Sequence, residues 1–132
     1  MADSEVTWQD MVKRCESMGV LAKKFYVVFT SPASGLGKVM ENIEEHLAYQ
    51  HEIEQNGIMF AAGPFATDDE AHWQGEGMVI IRANSLSEAE QVAANDPMHK
   101  SGARTYRVRP WLMNEGNFTV KVTYSDQKHM VE

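Results

Sequence analysis

Among 132 residues there is one cysteine, Cys15, so no intramolecular disulfide can form and a reducing, cytoplasmic setting is expected. Cations are scarce too: 12 Lys and Arg stand against 19 Asp and Glu, a formal net charge of -7. Phosphate backbones and anionic bilayers are held by clustered Lys and Arg that release counterions, so neither nucleic acid nor a membrane surface is expected as a partner. No apolar run reaches the roughly 20 residues that cross a bilayer, and MADSEVTWQDMVKRCESMGV has no long apolar stretch behind a basic start. A spanning helix and a secretory signal are therefore not expected. Repeats and low-complexity tracts are missing as well. The length suits a single domain, residues 1–132, able to bury a core without metal or disulfide staples.

Present instead are alternating periodicities. Val6, Met11, Cys15 and Met18 recur at helical spacing over residues 4–21, which predicts an N-terminal helical extension, residues 1–22, with Cys15 as a buried helix residue. Residues 25–29, FYVVF, are aromatic and β-branched and predict a strand ended by Ser31-Pro32. Leu36, Val39, Met40, Ile43 and Leu47 then mark an amphipathic helix over 37–55, stopped by Asn56-Gly57. Further strands are expected at 58–65, 78–83 and 105–110. Between the last two, Ser85 and Glu88 form a capping-box pattern opening a helix through Ala94 that must end near Pro97.

The resulting order over residues 24–111 is β-α-β-β-α-β, an α+β, ferredoxin-like unit. Residues 25–29 and 78–81 are apolar at every position, so both faces of those strands should be buried. Two helices cover one face only. Pairing of sheets about a two-fold axis would cover the other, so a homodimer, a dimeric α/β barrel, is expected. Residues 112–132 add a C-terminal strand and tail: Phe118, Val120, Val122 and Tyr124 alternate with Thr119, Lys121 and Thr123, and residues 125–132 read as a loose end.

Several motifs dissolve on inspection. Residues 31–38, SPASGLGK, have Pro32 where a phosphate loop needs its first glycine and Val39 where it needs a hydroxyl, so a flexible connection is expected and no nucleotide cofactor. His46 and His51 are five apart, a spacing that splays them around a helix, so no metal site is expected. His72, His99 and His129 fall in loops or the tail and read as exposed.

His46 lies at the rim of the stripe Leu36, Met40, Ile43 and Leu47, beside Val39 and Ile53. From its position alone it is either a core-edge histidine bonded to a carbonyl or a group reaching a cavity. Asp96, in Asn95-Asp96-Pro97, can equally be a helix stop. Arg107 and Arg109 alternate with Tyr106 and Val108; they either meet surface carboxylates or bind an anionic substrate. Tyr49, Trp73, Phe65, Met59 and Trp111 supply apolar surface, of which one or two, Tyr49 and Trp73 foremost, could stack on a planar ligand.

EEHLAYQHEIEQNG, the Ala-Gly-Pro of residues 62–64 and the Asp-Pro after the second helix together resemble the YciI-like (YCII-related) family of dimeric α+β proteins. The resemblance spans residues 24–111. It implies that His46 pairs with Asp96, whose carboxylate would fix the ring tautomer and leave the other nitrogen as a general base. No serine or cysteine is placed as a nucleophile. The resemblance thus implies a cofactor-free proton-transfer enzyme on a hydroxylated aromatic breakdown product, chlorinated or not, of dehydrochlorinase type. A muconolactone-type isomerase and a non-catalytic small-molecule binding module are the alternatives.

Overall fold

The computed structural model describes residues 5–132 and divides the chain into two compact units, one of residues 24–112 and one of residues up to 23 together with 113–132. In chain order the elements are α1 (Trp8–Ser17), β1 (Lys23–Pro32), α2 (Leu36–Glu41), α3 (Ile43–Gln55), β2 (Met59–Pro64), β3 (Gly77–Ile81), α4 (Leu86–Ala94), α5 (Pro97–Lys100), β4 (Arg104–Met113), β5 (Val120–Thr123) and β6 (Lys128–Val131).

In the larger unit the strands lie in the order β2-β3-β1-β4, the order of a ferredoxin-like fold. β3 is antiparallel to both neighbours, with Val28 opposite Val79 and Thr30 opposite Gly77 on one side, and Ala62 opposite Val79 and Pro64 opposite Gly77 on the other. Val28, Val79 and Ile81 on one sheet face pack with Ile53 of α3 and Ala89 and Ala93 of α4. Burial of such side chains contributes about 1.5–3 kcal/mol each. The opposite face carries Val27 and Ile80, also buried, while Phe29 on the same face is 39% exposed, so that face is covered only in part. Ser85 accepts a hydrogen bond from the Glu88 amide at 3.1 Å and starts α4 where the capping pattern places it.

The helix expected over 37–55 is broken. Asn42 leaves helical geometry and its side-chain amide donates to the Lys38 carbonyl at 2.8 Å, ending α2, while its own carbonyl receives the His46 amide and opens α3. The buried stripe is also rotated from the expected one. Leu36, Met40 and Leu47 are exposed, Ile43 is half-buried, and the inward positions are Val39, His46 and Ile53. These stand seven apart, close to two helical turns, and His46 can be inward because a carboxylate waits beneath it.

In the smaller unit, Thr7 caps α1 through the Asp10 amide at 3.0 Å, so the helix begins after Val6 and stops before Met18. Val6, Met11 and Met18 are exposed; Val12 and Cys15 are the buried pair, and Asn114 donates to the Cys15 sulfur at 3.3 Å. Ser4, where the expected helix began, lies outside the described residues. The C-terminal residues are not loose. Val120–Thr123 pairs antiparallel with Lys128–Val131, Val120 opposite Val131, and the turn is held by Thr123 and Lys128 bonding to Asp126. The alternating side chains Phe118, Val120, Val122 and Tyr124 nonetheless stay exposed.

Candidate active site

Along the helix-covered sheet face the side chains shrink from one end to the other. Tyr26, Val28, Met59 and Ile81 fill one end; at the other the paired strands offer Thr30, Ala62, Pro64 and Gly77. A β-carbon at Gly77 would come within 3.3 Å of the Gly63 carbonyl oxygen, so the strands close there with no side chain between them. What remains above this floor is a cavity of about 570 Å³, walled by Ile43, Leu47, Met78 and Val79, with Thr30, His46, Gln50, Trp73, Glu76 and Arg104 among its lining. That size lies within the range of small-molecule sites.

His46 reaches the wall from α3, and Asp96 stands at the start of α5. Fifty residues apart in sequence, they meet with His46 Nδ1 2.9 and 2.8 Å from the two carboxylate oxygens of Asp96, both residues only 6% exposed. Pro97 can begin a helix because the first helical position needs no amide donor, and Asp96 before it caps that helix by accepting from the Met98 amide at 2.9 Å. The cap orients the carboxylate. An ionised carboxylate only accepts, so Nδ1 carries a proton, and in the neutral ring Nε2 is the acceptor.

Of the residues expected to bind substrate, Trp73 lines this cavity, its indole N–H donating to the Glu76 carbonyl at 2.9 Å. Tyr49 does not. Its hydroxyl donates to the Val92 carbonyl at 2.6 Å, and burial first, then the charges of Asp96 and Glu52, push its pKa up to about 12. Arg107 and Arg109 are exposed on the sheet face opposite the one through which Val108 joins the core, and Arg107 borders a different depression beside Phe29 and Phe65.

Two residues at the site were not anticipated. His99 reads as exposed from sequence, yet it is half-buried in α5 with both nitrogens engaged: Nδ1 donates to the Ala93 carbonyl at 2.6 Å, leaving Nε2 to accept from the Thr30 hydroxyl at 2.8 Å. Burial holds its pKa below the usual histidine range, against the pull of the Ala93 carbonyl and Asp96. Arg104 is the other. Only 6% exposed and lining the cavity, it begins β4 one residue before the expected strand, and alternation puts it on the face of Tyr106 and Val108 rather than with Arg107. Among the described residues no group of three or more His, Cys, Asp or Glu side chains could hold a metal ion, and no helix is long and apolar enough to cross a membrane.

Comparison with curated proteins found no match. Among solved structures, the chain is similar to the 5-chloro-2-hydroxyhydroquinone dehydrochlorinase of Burkholderia phenoliruptrix in complex with 2,5-dihydroxybenzoquinone, at 24% identity and a TM-score of 0.54, covering 66% of this chain and 92% of that one. At that identity the likeness is one of fold. The YCII-related domain matches residues 24–112, the whole of the larger unit and most of the sequence. The chain belongs to the YCII-related family.

Proposed function

We propose that this protein is a cofactor-free proton-transfer enzyme, with His46 as general base and Asp96 as the group that holds its tautomer, acting on a hydroxylated aromatic ring by elimination of the dehydrochlorinase type. The buried contact between His46 Nδ1 and Asp96 carries the reading, because it leaves Nε2 as a proton acceptor at the wall of a cavity roomy enough for a small substituted ring. Similarity of fold to a dehydrochlorinase bound to a planar dihydroxyquinone supports the substrate class. In the reaction a ring hydroxyl gives its proton to Nε2, the chlorine-bearing carbon takes up a proton as the ring passes to its keto tautomer, and a second hydroxyl loses its proton as chloride leaves with the C–Cl bonding pair. Net loss of one proton and one chloride turns the chlorohydroxyhydroquinone into a hydroxyquinone, with no external oxidant. Trp73 supplies a face for the ring.

Chloride release from 5-chloro-2-hydroxyhydroquinone tests the reading. The wild-type protein should accelerate it, with a pH-rate limb near the histidine range. Binding of the compound without any chloride release would make the cavity a binding site only.

The same reading includes a homodimer in the cytoplasm. Phe29 and Trp111 are each 39% exposed on or beside the helix-free sheet face, apolar surface that a second sheet would cover. Light scattering should give twice the chain mass; a stable monomer at micromolar concentration would exclude the pairing.

A further inference from the structure

Arg104 is a cation without a counterpart. Its Nε is fully buried with no hydrogen-bond partner, and its guanidinium forms no ion pair among the described residues. Asp96 is near enough to act on it electrostatically, but that carboxylate already accepts from His46 and from the Met98 amide. A guanidinium stays charged under all ordinary conditions, and an unpaired buried charge is unfavourable, so the arrangement calls for an anion that arrives from outside. The cavity that Arg104 lines gives a route to it: Ile43, Trp73, Met78 and Val79 give apolar walls that suit a ring, while Glu76, the carboxylate of the lining, is exposed.

We propose that Arg104 binds an ionised oxygen of the substrate, a phenolate or enolate, in the cavity that His46 lines. The choice of a hydroxylated ring rests on the proton-transfer reading. Arg104 deepens that reading by stabilising the negative charge that appears as His46 removes a proton, an interaction stronger after transfer than before it. A single fixed cation with apolar walls also favours a monoanionic ring over a phosphate, which would require several donors.

The test needs no turnover. 4-Nitrophenol, whose ionised form is coloured, is titrated with the wild-type protein and with Arg104→Gln, Arg104→Lys and His46→Ala, the colour reporting ionisation of the bound phenol. Wild type should lower the apparent pKa of bound nitrophenol by about one unit or more. His46→Ala should keep that shift, whereas Arg104→Gln should abolish it and weaken binding at least about tenfold. Arg104→Gln removes an unpaired buried charge, so its Tm without ligand should hold or rise. Should that variant not fold, Arg104→Lys decides, with binding weakened about tenfold because the planar fork is lost; unchanged binding overturns the proposal. It is overturned equally by wild type binding nitrophenol only in its neutral form or not at all, or by a shift lost in His46→Ala and kept in Arg104→Gln, which would assign the charge to the imidazole. Absence of chloride release with the Arg104-dependent shift intact would count against the reaction and leave the anion site standing.

Discussion

The two ends of the helix-covered sheet face are built from the same strands and the same helix α3, yet one is core and the other a cavity. At the closed end Ile53 of α3 meets Val28, Val79 and Ile81, and the hydroxyl groups packed there are those of Tyr26 and of Tyr49, the latter committed to a carbonyl. At the open end, two turns earlier on α3, His46 stands over Thr30, Ala62, Pro64 and Gly77. Side-chain volume on the strands decides which end fills. Once the floor is low, polar groups can be buried at the wall because each finds a partner within the protein: His46 finds Asp96, and Thr30 finds His99. Arg104 alone is left over.

Three substitutions would break or sharpen this contrast. Ile81→Ala at the closed end removes a fully buried side chain and should cost about 2–5 kcal/mol in denaturant melts, while the rate of the surviving folded protein changes little. Ala62→Leu at the open end fills the cavity instead. Turnover should fall by about tenfold or more, roughly 1.4 kcal/mol in the barrier, with a Tm close to wild type; a large Tm loss with normal turnover would mean that the space is not where substrate sits. The smallest effect concerns His99, at the junction of the two ends. Its folded-state pKa is depressed, so between that value and the unfolded value of about 6.5 the unfolded chain binds more protons, and stability falls as the pH drops through this window. Melts of His99→Gln at neutral and mildly acid pH should show a shallower fall than wild type, and an unchanged slope would remove His99 from the account.

The order of elements was legible because each strand and helix carries its own period and its own boundary: the Ser85 cap that opens a helix, and Asn56-Gly57 and Pro97 that end them. What periodicity could not supply was phase. Val39, His46 and Ile53 form the inward stripe of the first helical segment, but Leu36, Met40 and Leu47 are the more apolar choice on a wheel, and only the break at Asn42 and the partner beneath His46 turn the helix the other way. The His46–Asp96 contact spans fifty residues and was reachable through family resemblance alone. Arg104 was missed by one residue of strand boundary, since alternation from Tyr106 would have put it inside. His99 was hidden because a four-residue helix after an Asp-Pro reads as a loop. In the C-terminal tail, the pairing of β6 with β5 depends on a turn closed by Asp126, a signal weaker than the apolar alternation that marks β5.

The central claim is that His46 and Asp96 act as one proton-transfer unit, and chloride release by His46→Ala, Asp96→Asn and the double variant measures it most directly. Each single variant should lose about a hundredfold to ten-thousandfold in turnover, Asp96→Asn because an amide can hold the wrong ring tautomer. The double variant should be little worse than the poorer single one, since groups acting together are not additive, and His51→Ala, exposed on the same helix, should remain near wild type. Well-folded single variants with near-normal rates would contradict the account.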